Sequence, residues 1–121
     1  MATIKSFTSP EQSRKLAKIL SLESADMWWS RCTITDFGDG VLKVSYAVEP
    51  CNISQFRKTK EDIPCWSLAA LFNILPNENM LVKTTDGEYY CLAKDVMTKH
   101  YDNPVDSCVE MIIKLHELKM L

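Results

Sequence analysis

Cys65 stands near the start of "IPCWSLAALFNILP", residues 63–76, directly after a proline and ahead of a long apolar run. If Asp62 caps a helix here and Pro64 sits in its first turn, the thiol lies at the positive end of the helix dipole, which lowers a thiol pKa. Nucleophilic catalysis also needs a base within hydrogen-bond reach and a group that orients the base. His100 and His116 are the two histidines. His100 falls in a connector with Asp102 close by, whereas His116 falls in the apolar arc of the last helix. Cys65 with His100 is therefore the pair that a thiol-dependent enzyme would use. The competing reading is packing, because free cysteine is buried readily and Cys65 adjoins Trp66.

The other chemistry-bearing residues form no set. Asp36 and Asp39 in "DFGDG" lack the further oxygen ligands and distal glutamate of a calcium loop, and a turn accounts for them. No G-x-x-x-x-G-K-[ST], H-E-x-x-H or G-x-S-x-G occurs, and three glycines do not make a phosphate cradle. The five cysteines, Cys32, Cys51, Cys65, Cys91 and Cys108, are scattered, odd in number and without a C-x-x-C pair. That spacing predicts no zinc site and no disulfide framework, and five reduced thiols in a cytoplasmic protein. No metal, cofactor or small-molecule substrate is expected.

A formal charge of −2 gives no long-range attraction for nucleic acid or an anionic membrane. Arg57, Lys58 and Lys60 form a small basic run followed at once by Glu61 and Asp62, which reads as a solvated face; a weak nucleic-acid-binding regulator would use it. No segment has the apolar length of a signal peptide core or a membrane span. Met27-Trp28-Trp29 offers a different possibility. Alternation sends Trp28 and Trp29 to opposite faces, so one enters the core and the other nears the surface, where tryptophan anchors protein contacts.

The elements that position these residues read as follows. Ser9-Pro10-Glu11-Gln12 opens a helix with a cap, an N1 proline and a capping-box glutamine, and the helix runs to about Leu20. Met27 to Thr35 and Leu42 to Val48 are strands around the "DFGDG" turn. Residues 63–76 make a central helix, apolar nearly all round and so covered on more than one side. Two strands then flank Asp86-Gly87, the preferred pair of a two-residue type I′ hairpin. That register sets Thr84 opposite Tyr89 and Val82 opposite Cys91 on one face, with Lys83 opposite Tyr90 and Leu81 opposite Leu92 on the other. Residues 94–102 connect to a last helix opened by Asn103 and Pro104, with Val105, Cys108, Val109, Ile112, Leu115 and Leu118 buried and Glu110–Lys114 an ion pair. The chain of 121 residues is thus expected to be one α+β domain, order α-β-β-α-β-β-α, with antiparallel hairpins packed on three helices.

"LESADMWW", "IPCWSLAALFNILP" and "DNPVDSCVEMIIKLHEL" together resemble a family of small uncharacterised proteins of Bacteroidetes prophages and other mobile elements. The resemblance covers both ends and the centre of the chain, and residues 30–60 match least. It implies a mobile-element context and carries over no catalytic residues. The expectation that follows is a non-enzymatic accessory protein acting by contact with an unknown protein partner or by self-association. Trp28 or Trp29 and the outer face of the 80–93 hairpin, with Tyr89 and Tyr90, are the expected contact residues.

Overall fold

The computed structural model describes residues 5–35, 42–50 and 63–121, the strand residues 30–35 and 42–50 by backbone alone. The "DFGDG" turn, Cys51 and the basic run Arg57–Lys60 lie outside the described residues, as does the side chain of Cys32. The α+β class and the expected alternation of helices and hairpins hold, with two short strands added.

Helix α1 (Pro10–Ala17) starts as its capping box dictates. The Gln12 N–H donates to Ser9 Oγ at 3.2 Å and the Ser9 N–H donates to Gln12 Oε1 at 3.1 Å. It ends at Ala17 rather than Leu20, and Ile19 and Leu20 both close onto the Leu16 carbonyl beyond it. A short 3₁₀ turn, Leu22–Ser24, leads into β1 (Met27–Thr35). Strand β2 (Leu42–Pro50) pairs antiparallel with β1 from Met27↔Pro50 to Thr35↔Leu42.

The expected central helix is shorter and starts later. Ile63–Cys65 is a strand, β3, on the free edge of β1, with Met27↔Cys65, Trp28↔Pro64 and Trp29↔Ile63 in register. Proline disfavours helical backbone in the residue before it and is tolerated on an edge strand, so Pro64 favours extension here. Cys65 is therefore not in the first turn of a helix. Helix α2 (Leu68–Ile74) begins at Ser67, whose Oγ accepts the Ala70 N–H and whose hydroxyl is held by the Asp26 carboxylate.

The second sheet has the order β4 (Met80–Lys83), β5 (Tyr89–Ala93), β6 (Val96–Met97). The Asp86-Gly87 hairpin is present, but not as a two-residue loop. The Gly87 N–H donates to the Thr84 carbonyl at 3.1 Å, the Thr84 N–H to the Glu88 carbonyl at 2.8 Å, and Gly87 has φ +80°. This is a type I turn closed by a left-handed glycine bulge, and it shifts the register by one residue. The pairs are Lys83↔Tyr89, Val82↔Tyr90, Leu81↔Cys91 and Met80↔Leu92. A two-residue turn occurs instead at Lys94-Asp95, both at positive φ (47° and 64°), and creates β6 within the expected connector.

Beyond β6 the chain continues along β5 through a bulge. Leu92 pairs with Met97, but Tyr89 pairs with Tyr101, so Lys99 and His100 together face Tyr90. Helix α3 (Pro104–Glu117) starts at Asn103, whose side-chain oxygen accepts the Asp106 N–H. Its buried face is the one expected, with Pro104, Ser107 and Met111 added and Leu118 excluded: Leu118 caps the helix and is exposed. The centre of the core is α3. Val105, Cys108, Val109, Met111, Ile112 and Leu115 meet Leu16, Trp66, Leu71, Leu75, Cys91 and Ala93 in one buried cluster. Trp66 is fully buried and its indole N–H donates to Ser24 Oγ at 3.0 Å.

Candidate interaction surface

The register of the second sheet assigns its two faces. Leu81, Cys91, Ala93 and Val96 share one face and pack on α3. The other face carries Met80, Leu92 and Met97 as one cross-strand row and Val82 with Tyr90 as the next. Met80 is 57% exposed and Met97 56%, while Val82, Tyr90 and Leu92 between and beside them are half-buried. Cross-strand neighbours on one face lie close enough for their side chains to touch, so these five form a continuous apolar strip.

Polar groups border it. The bulge turns His100 onto the same face, where its ring stacks on Tyr90 with centroids 4.8 Å apart and its Nδ1 lies 3.2 Å from Glu88 Oε2. Tyr101, one residue on, faces inward, and burial together with the Glu110 carboxylate pushes its pKa up to about 12. Glu110 also accepts the Lys99 N–H at 3.2 Å and pairs with Lys114 at 3.4 Å, which ties the bulge to α3.

The residues singled out from sequence are distributed as follows. Tyr90 lies on the outer face, whereas Tyr89 lies on the α3 side with Lys83 Nζ 5.8 Å from its ring centre. Trp28 is 5% exposed and so belongs to the interior rather than to a contact surface. Trp29 is half-buried, donates its indole N–H to the Thr8 carbonyl at 3.0 Å and meets Phe7 edge-on. Trp29 therefore serves the junction between the N-terminal segment and the first sheet. Met80 and Val82 join the face of Tyr90 and Leu92 because the hairpin register moves by one, and Met97 joins it because the expected connector contains β6.

Cys65 and His100 are not brought together. Cys65 is fully buried in the first sheet, where Thr8 Oγ1 donates to its sulfur at 3.6 Å and the thiol donates to the Thr8 carbonyl at 3.5 Å. Burial raises its pKa against the opposing hydrogen bonds from Thr8 and Ser13. His100 lies beside the second sheet with Glu88 as its polar partner. An enclosed thiol whose pKa is raised by burial is a poor nucleophile and packs as a small hydrophobe. Among the described residues no group of three or more His, Cys, Asp or Glu is arranged to hold a metal, and no helix is long and apolar enough to cross a membrane. Comparison with family models, curated proteins and solved structures finds no match.

Proposed function

We propose that this protein works without catalysis, as an accessory that docks an apolar surface of a partner protein on the outer face of its second sheet. The observation that supports this reading is the Met80–Leu92–Met97 row, which crosses all three strands and is more than half exposed at both ends. An apolar strip with a polar border has the anatomy of a contact surface. Methionine, with its flexible thioether chain, adapts to differently shaped partners. The His100–Glu88 pair at one side supplies the polar rim that fixes orientation. The burial of Cys65 favours this reading over a thiol-dependent enzyme, and the sequence resemblance to mobile-element proteins supports an accessory role.

The test is a double substitution, Met80→Lys with Met97→Lys. Both side chains are exposed, so the variant keeps the wild-type circular dichroism and melting curve. The complexes that wild-type protein forms on chemical crosslinking in host extract fall at least about tenfold in the variant, the effect of placing charge at an interface centre. Complexes of undiminished yield in the folded variant, or wild-type protein that forms none, overturn the proposal.

A further inference from the structure

The seam between β5 and α3 holds two thiols in contact. Cys91 lies on the inward face of β5 and Cys108 on the buried face of α3, each at 0% exposure in the same core cluster, and each thiol is the strongest influence on the other's ionisation. The seam is closed on either side of them by small or polar groups. Ser107 donates its hydroxyl to the Tyr89 carbonyl at 2.9 Å, and the Cys91 N–H donates to Thr98 Oγ1 at 2.8 Å. Both backbones that carry the sulfurs are thereby pinned to their surroundings. Both cysteines are free thiols in this structure.

We infer that Cys91 and Cys108 are a latent disulfide that locks β5 to α3 when the chain meets a small-molecule disulfide oxidant such as oxidised glutathione. The reaction proceeds by two exchanges. One cysteine thiolate attacks a glutathione sulfur, forms a mixed disulfide, breaks the oxidant's S–S bond and releases one glutathione thiolate. The second cysteine thiolate then attacks the protein sulfur of the mixed disulfide, forms the Cys91–Cys108 bond and releases the second glutathione. The two cysteines lose two protons and two electrons; the oxidant becomes two thiols. Full burial shields both from oxidant in the folded state, so closure requires opening of the seam or takes place during folding.

The bond would span the main strand–helix interface of the core and constrain the unfolded chain across the intervening β6 and bulge. The experiment refolds the full chain from urea in a glutathione redox buffer and in a reductant. Remaining thiols are then alkylated, the peptides mapped by mass spectrometry and the melting curves compared. The expected map links Cys91 to Cys108 in the oxidised sample, and its thermal midpoint rises by roughly 5–10 °C over the reduced one. Cys91→Ser and Cys108→Ser each abolish the link and the rise. A map in which either residue stays alkylated or pairs with Cys32, Cys51 or Cys65, or a 91–108 link without a rise in midpoint, overturns the inference.

Discussion

Asp106 shows how much one side chain ties together. Lys5 Nζ approaches its Oδ1 at 2.9 Å and Gln12 Nε2 at 2.6 Å, while Asn103 Nδ2 donates to Oδ2 at 2.7 Å. Burial alone would raise its pKa, but the hydrogen bonds from Lys5, Asn103 and Gln12 outweigh burial and hold the carboxyl below its ordinary value. A carboxylate depressed in the folded state stabilises the fold above its unfolded pKa, and the contribution fades as pH falls through the folded value. Stability should therefore decline from about pH 5 downward through this group. Asp106→Asn should cost about 1–2 kcal/mol at neutral pH and flatten that acid limb. Urea unfolding of both proteins between neutral and acid pH checks this, and parallel acid limbs would contradict it. The sequence shows Asp106 as an acid in a helix's first turn. Its partners Lys5 and Gln12 stand 101 and 94 residues away, and no local pattern announces them.

The elements whose signals are local were the legible ones. The capping box of α1, the Asn103-Pro104 start of α3 and the strand Met27–Thr35 all follow from residues within a turn of each other. Two features that depend on competition between signals were not. Pro64 reads as a helix opener, but pairing with β1 makes it an edge-strand residue, leaving Ser67 to cap α2. Asp86-Gly87 is the stronger two-residue turn signal, yet Lys94-Asp95 adopts that turn and pays in left-handed backbone at two side-chain-bearing residues. The pair of turns yields opposite expectations. A Cβ at Gly87 meets nothing within 4 Å, so Gly87→Ala should lose about 1 kcal/mol through backbone conformation alone. Asp95→Gly should gain roughly 0.5–1 kcal/mol by relieving the same conformation. Equilibrium unfolding measures both; equal signs for the two substitutions would refute the turn assignments. Because a one-residue change of register exchanges the faces of β4, the candidate surface was legible only as "the outer face of the hairpin", and of the residues named from sequence Tyr90 alone lies on that face.

At the scale of the whole molecule, α3 is the hub. It touches α1, α2, β4, β5 and β6, and it supplies six residues of the buried cluster: Val105, Cys108, Val109, Met111, Ile112 and Leu115. Its amides should exchange with deuterium more slowly than those of β4 and β6, which form the edges of the second sheet. Hydrogen-exchange mass spectrometry tests that ranking, and faster exchange in α3 than at those edges would count against it. The residues of the second sheet that pack on this cluster, Leu81, Cys91, Ala93 and Val96, all share one of its faces. The bulge at Lys99–His100 gives this division a further meaning. It acts as a phase shift in the chain, so that Met97 and His100, an odd number of residues apart, share the outer face. Substituting His100 can retune the surface without touching the core. Deleting one residue between Met97 and Tyr101 would restore plain two-residue alternation and leave Tyr101 opposite Tyr89. Related chains should therefore tolerate the loss of one residue at this point with both faces kept, while the exposed residue drifts.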